Sequence, residues 1–263
     1  MENPQTSSPD GLTKNLSPTE QLAYYRLAFD PQWGRAKATE AIQARQFRRI
    51  PEQLKDRAAR ATADTFRWVT QYTQTYNEHW IEEGRPSPYE PFPAYPYFAA
   101  VFRIIDQERI TWWEKSRDMM LSWACVAYLT VNAMTVPERG VLFQTQKEDK
   151  AKQLVKYAKH LYRGQPDWLQ KAYPLTKPID QQPELELHFA NGGNIVGIPG
   201  GADQIRSYHP WGYLNDESSF QPDAGECYNE ALAAVKGKII FNSSAGPGWY
   251  ADARRDIART SDE

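Results

Sequence analysis

From residue 97 onward the sequence predicts an α/β protein with a mostly parallel sheet flanked by helices. Short apolar runs of strand length alternate with longer runs of helical period, the pattern of strand–helix–strand units. Polar and charged residues gather just past three of the apolar runs, those beginning at Ile110, Trp211 and Lys238. The carboxyl ends of strands are where open parallel sheets hold their ligands.

Ahead of that region the pattern is helical. Residues 1–16 are rich in Pro, Ser, Thr and Asn and nearly free of apolar side chains, so a mobile tail is expected. Ser17 with Glu20 forms a capping box, with Pro18 at the first helical position, and opens a helix over 17–29 that Pro31 ends. A second helix is expected over 36–50. A third starts after Pro51, with Leu54, Ala58, Ala61, Thr65, Trp68, Tyr72, Tyr76 and Trp80 on one stripe at spacings of three and four. The stretch 84–96 carries Pro86, Pro88, Pro91, Pro93 and Pro96, a density that predicts a stiff connector between 17–83 and 97–263.

The remaining elements follow in order. A helix over 97–107 leads to a strand over 110–113, a polar turn, and an apolar helix ending near Asn132. A buried strand over 140–145 precedes a lysine-rich helix over 148–162. Strict alternation over 184–189, then Asn-Gly-Gly-Asn at 191–194 and an apolar run to Ile198, predicts a hairpin. Strands over 211–215 and 238–242 enclose a helix over 226–235, and a last helix covers 249–259.

Bulk composition excludes several classes. The 263 residues are 41% hydrophobic and 13% aromatic, enough for a full core. A net charge of −2 rules out a globally basic nucleic-acid binder. The charge is uneven, however: 35–67 holds nine Arg or Lys against four acids, and 184–263 holds twelve acids against six. The basic stretch, with Arg45, Arg48 and Arg49, suits either a solvated helix face or contact with DNA or another polyanion. Two cysteines, Cys125 and Cys227, suit reduced thiols better than a disulfide framework. The first residues lack the blocks of a signal peptide, and the longest apolar run, near 121–131, is too short for a bilayer. A soluble intracellular protein is expected.

Four clusters could carry chemistry. Lys115, Arg117 and Ser122 crowd a strand-to-helix junction, where backbone N–H groups converge on an anion, although the glycines of the usual phosphate loop are missing. Asp216 and Glu217 end a strand. Such a pair suits a metal-side acid and a base for an attacking water, and read alone it suits a capping pair. Arg206, ten residues earlier, suits a γ-phosphate or plain solvation. Ser243 and Ser244 suit a phosphate sensor or a turn.

In this order the clusters resemble the ATPase domain of the large terminase subunit, the motor that packages DNA into tailed-phage capsids. The run 114–123 resembles the family's deviant Walker A, in which the phosphate-binding lysine precedes the loop and an arginine follows the serine. The resemblance implies ATP bound by Lys115, Ser116, Arg117, Asp118, Met119, Met120, Leu121 and Ser122, with Lys115 as phosphate lysine and Arg117 as loop arginine. It implies Mg2+ held by Ser122 and Asp216, and Glu217 as catalytic base. Arg206 would be a finger acting on a neighbouring subunit, and Ser243 and Ser244 the coupling motif. The implied fold is a P-loop NTPase of the ASCE type, preceded by a helical region. The implied partners are double-stranded DNA, the portal protein, the small terminase subunit and further copies in a ring, in the host cytoplasm with no membrane. The family continues into an RNase H-like nuclease, and no nuclease activity is expected of these residues.

The sequence departs from the family pattern at several points. Met119 and Met120 stand where a glycine is common, Leu121 where many members carry the lysine, Asn215 within the apolar run before Asp216, and Ser207 where a glycine is usual. A loop without glycine is expected to curve through ordinary dihedrals or to be wider. Two other readings remain open: another P-loop translocase such as a helicase, and a non-hydrolysing scaffold on a degenerate nucleotide fold.

Overall fold

Pro51 opens the first helix of the computed structural model, which describes residues 50–261. The expected tail over 1–16, the helix over 17–29, all but the last residue of the helix over 36–50, and Arg45, Arg48 and Arg49 lie outside the described residues. Residues from Ile50 onward form one unit by their contacts.

The single helix expected from Pro51 to Trp80 is broken twice. Helix α1 (Glu52–Thr62) buries Ala58 and Ala61. Asp64 then caps α2 (Thr65–Tyr72), its carboxylate accepting from the Arg67 N–H at 2.6 Å. A cap of this kind satisfies an orphan donor and starts a new helix in place of extending the old one. Thr73 leaves helical space at φ −126°, ψ 172°, and the chain enters β1 (Gln74–Tyr76). The stripe does mark the inward face, since Trp68 is fully buried, but Tyr76 reaches the core from a strand.

The proline-rich stretch 84–96 does not separate two domains. Within it β2 (Tyr89–Pro91) pairs antiparallel with β1, and Phe92 packs in the same core as Trp68, Phe98 and Phe143. Pro91 sits on an edge strand, where a missing N–H breaks no ladder.

Helix α3 (Pro96–Gln107), with proline at its first position, leads into β3 (Ile110–Lys115). Then come α4 (Leu121–Thr135), β4 (Gly140–Gln144), α5 (Glu148–Arg163), α6 (Asp167–Ala172), β5 (Glu186–His188) and β6 (Asn194–Ile198). After them come α7 (Ala202–Arg206), β7 (Gly212–Asp216), α8 (Ala224–Ala234), β8 (Lys238–Ser244) and α9 (Trp249–Ser261). The short helices α6 and α7 have too few turns to leave a periodic signal in sequence.

The sheet runs β3-β8-β7-β4-β6-β5, parallel except at β5. The β5–β6 hairpin turns as its sequence predicts. Gly192 adopts φ 88°, and a Cβ on Gly193 would lie 2.0 Å from the Ala133 carbonyl oxygen. Strand β8 lies between β3 and β7, pairing Lys115 with Ser244 and Asp216 with Asn242. This order brings the polar ends of three strands side by side. Helix α4 is buried on most of its surface, from Leu121 to Met134, as its uninterrupted apolar sequence requires. Among the described residues no helix is long and apolar enough to cross a membrane.

One buried group opposes the fold in acid. His160 on α5 is 7% exposed, stacks on Tyr76 at 4.9 Å between centroids, and has no protein partner at either ring nitrogen. Burial, with Lys156 and Arg163 nearby, pushes its pKa down to about 4. The unfolded chain therefore binds the proton first, between about pH 6.5 and pH 4. Stability is full above that window and falls as the pH drops through it, by up to about 3 kcal/mol. His160→Phe is expected to flatten this acid limb in urea titrations between pH 7 and pH 4, leaving the other titrating groups to set the remaining slope.

Candidate nucleotide-binding site

The residues between β3 and α4 form a tight loop. Asp118 and Met120 adopt φ 65° and 50°, so the expectation of ordinary dihedrals is overturned. Left-handed conformation at an L-residue costs roughly 1–2 kcal/mol, and such strain persists where surrounding contacts over-determine it. Here the Tyr97 hydroxyl donates to the Met119 carbonyl at 2.8 Å, and Met120 packs against the core. The Ser116 hydroxyl lies 3.3 Å from the Met119 sulfur. Leu121, 4% exposed, points into the core, so this position offers no side chain to the loop.

Two interlocking groups of side chains meet beside the loop. The Lys115 ammonium donates to Glu217 Oε1 at 2.8 Å and reaches Ser244 Oγ at 3.4 Å. The Ser244 backbone N–H donates to Glu217 Oε2 at 3.3 Å. In the second group Ser122 Oγ donates to Asp216 Oδ1 at 3.0 Å, and the Asn242 amide donates to that oxygen at 2.6 Å and to Ser122 Oγ at 3.1 Å. Burial pushes the Asp216 carboxyl up to about 6, helped by the neighbouring Glu217 charge and opposed by Lys115, Ser122 and Asn242. A cation added beside Asp216 favours its charged form. Ser243 acts elsewhere, its hydroxyl accepting from the Ser219 N–H at 3.0 Å.

Asn215 has a structural explanation. The Tyr213 hydroxyl donates to Gln144, whose amide is anchored on the Pro199 and Gly201 carbonyls, both at 3.0 Å. Asn215 donates to Tyr213 at 2.8 Å and accepts from Ser218 at 2.7 Å and Gln221 at 2.8 Å. Gln221 also donates to the Asp216 carbonyl at 2.8 Å. This buried network fixes the turn in which Glu217 takes φ 56°. Glu217 is thus the third non-glycine residue of the site in left-handed conformation.

Ser122 and Asp216 offer a hydroxyl and a carboxylate oxygen, hard donors that fit Mg2+, an ion that takes one or two protein ligands and completes its shell with phosphate and water. The buried Asn242 Oδ1, without a protein partner, adds an unspent acceptor beside them. Among the described residues no three His, Cys, Asp or Glu gather into a metal cage. Lys115 and the first turn of α4 supply the cation and the N–H groups that suit an anionic polyphosphate.

Besides Ser243, Arg206 and Arg117 stay apart from this cluster. Arg206 ends α7 and pairs with Asp203 at 3.0 Å and Glu230 at 2.7 Å. Arg117 is exposed on the loop. Asn242 was missed as a site residue, although it lies in the same polar strand end as Ser243 and Ser244. Cys125 and Cys227 are buried free thiols with pKa values raised by burial, hence unreactive.

No family model and no curated protein matches the chain. Among solved structures, the large terminase of bacteriophage HK97 superposes with a TM-score of 0.55 at 11% identity, over 77% of this chain and 42% of that one. The large terminase ATPase domain of Thermus phage P74-26 matches at 12% identity and a TM-score of 0.43, over 68% of this chain and 73% of that one. The fold expected from sequence is therefore the fold found, one shared with a phage large terminase. The chain spans 42% of the HK97 protein's length.

The Asn215 network yields a test that strand propensity alone would misjudge. Asn215→Leu restores an unbroken apolar strand, yet it strips partners from Tyr213, Ser218 and Gln221. It is expected to lower stability by about 2–3 kcal/mol, since buried polar groups left unsatisfied cost more than an apolar residue returns. Urea unfolding of the two proteins measures this directly.

Proposed function

We propose that this chain is the ATPase motor domain of a phage large terminase, coupling Mg-ATP hydrolysis to the movement of double-stranded DNA into a procapsid. The observation that carries the reading is the meeting of Lys115, Ser122, Asp216, Glu217, Asn242 and Ser244 at three adjacent strand ends, on a terminase-like fold. Each has a task in phosphoryl transfer. Lys115 binds the phosphate chain from the end of β3, and the loop with the first turn of α4 wraps it with backbone N–H groups. Ser122 and Asp216 hold Mg2+, which when bound neutralises charge on the phosphate oxygens. Glu217 orients the attacking water and takes its proton. For that, Glu217 must exchange its Lys115 contact for the water, and nucleotide phosphate offers Lys115 the competing anion. Ser244 touches both Lys115 and Glu217, so it is suited to report loss of the terminal phosphate along β8.

In this reading Arg206 acts on a neighbouring subunit, which agrees with its pairing to Asp203 and Glu230 and not to its own chain's cluster, and makes the ring of subunits part of the catalyst. The portal protein, the small terminase subunit and DNA are the partners of that assembly, in the host cytoplasm. Arg117 and Ser116 complete the phosphate loop.

Glu217→Gln is expected to abolish turnover while leaving Mg-ATP affinity within a few-fold. Lys115→Ala is expected to weaken Mg-ATP binding by about tenfold or more, the size of a charge-assisted hydrogen bond. Calorimetry and a phosphate-release assay read the two effects. Leu121→Lys in the Lys115→Ala background is expected not to restore binding, because that side chain enters the core. Turnover unaffected by Glu217→Gln in an assembled motor would remove the catalytic assignment. Failure of the wild type to bind Mg-ATP would favour the scaffold reading, for which the Lys115–Glu217 pair would be a permanent lock.

A further inference from the structure

A cavity of about 410 Å3 adjoins the site, lined by Ser122, Asp216 and Glu217 together with Gln146, Lys147 and Lys150. The strand order explains its position. The loop rises from β3, and the carboxylates end β7 on the far side of β8. The cavity opens beyond them, over the end of β4 and the start of α5. Neither Lys147 nor Lys150 takes part in an ion pair among the described residues, and the Lys150 ammonium reaches only the Gln153 side-chain oxygen, at 3.5 Å. By contrast, Lys152 on the same helix is committed to Glu148 and Glu184. Two uncommitted cations therefore face two carboxylates across a cavity. Such an arrangement accepts an anion that arrives with its own metal ion, and it would repel a bare anion less than the carboxylates alone would.

We infer that Lys147 and Lys150 form a second phosphate contact, holding the terminal phosphate of the nucleotide and then the free phosphate product, from the face opposite Lys115. This rests on the nucleotide-hydrolysing reading above. A phosphate chain that enters over β3 and passes Ser122 and Asp216 ends at this cavity, so its terminal group meets cations on two sides. On this path the α- and β-phosphates stay on the Lys115 side, short of the cavity. The two lysines thus distinguish a triphosphate from a diphosphate, whereas Lys115 and the loop bind both.

The test compares affinities of the full chain for ADP with Mg2+, with and without beryllium fluoride as mimic of the terminal phosphate. In the wild type beryllium fluoride is expected to tighten ADP binding. In the Lys147→Ala/Lys150→Ala variant ADP affinity is expected to stay the same, while at least about tenfold of the tightening is lost, the scale of a charge-assisted hydrogen bond. Lys150→Arg is expected to retain part of it, and Lys152→Ala all of it, separating local contact from general positive charge. Tightening that survives in the double variant, or that falls equally in Lys152→Ala, overturns the inference while leaving the nucleotide site intact. Absence of ADP binding to the wild type overturns the hydrolase reading and this inference with it.

Discussion

The insertion of β8 between β3 and β7 is the constraint on which the rest of the site depends. Parallel pairing places Ser244 opposite Lys115 and Asn242 opposite Asp216, so two residues of one strand contact both halves of the cluster. Neither half stands alone. Lys115 is held between Glu217 and Ser244, and Asp216 between Ser122 and Asn242. A one-residue slip of β8 would turn Asn242 and Ser244 to the opposite face of the sheet and leave Asp216 buried with the Ser122 hydroxyl alone. Buried strands such as Ile239–Phe241, closed in by apolar side chains on both faces, make that slip costly.

Strain and buried polarity are concentrated in the same few residues. Asp118, Met120 and Glu217 carry positive φ, and Asp216 is a carboxyl that burial works to neutralise. Around them the structure over-determines the geometry. Tyr97 and the core hold the loop, and Gln144, Tyr213, Asn215, Ser218 and Gln221 hold the turn after β7. That network is polar where an apolar strand would pack more simply, and its product is a Glu217 carboxylate aimed at the strand ends. Stability is traded here for the position of one side chain.

The strands of the six-stranded sheet were legible in the sequence because their apolar runs or alternation are clear and the gaps between them are polar. The β5–β6 hairpin was legible because only glycine turns so tightly against Ala133. The stretch 51–80 was misread because aromatic residues at helical spacing fit an inward face whether or not the backbone stays helical. The decisive signals were local: Asp64 as a cap, and β-branched Thr73 at the exit. The prolines of 84–96 argued correctly against a helix but not against an edge strand. In the candidate site, the side chains that meet, Lys115, Ser122, Asp216, Glu217 and Ser244, could be singled out by residue type and by position at a strand end or at the start of α4. The contacts of Asn242 with Ser122 and Asp216 could not, because an asparagine in a strand carries no signal until its neighbour across the sheet is known. The same holds for Lys147 and Lys150, which look like part of a solvated lysine-rich helix until the cavity beside the carboxylates is seen.

The position of the lysine follows from these geometries. At Leu121 the first turn of α4 directs its side chain into the core, and the loop before it is already strained without a glycine to widen its path. A lysine there would bury its charge, at a cost of several kcal/mol unless paired. At Lys115 the same charge stands at the end of a strand paired residue by residue with β8, one-tenth exposed and facing Glu217. The rigid strand, not the loop, carries the cation. On the proposed nucleotide-binding reading the loop is thereby relieved of supplying the cation, and only its backbone curvature remains to be satisfied. Left-handed Asp118 and Met120 supply that curvature at the expense of local strain. In the proposed nucleotide site, the absence of glycine from the loop and the placement of the cation at Lys115 are thus two sides of one solution, in which sheet register does what a flexible glycine loop does elsewhere.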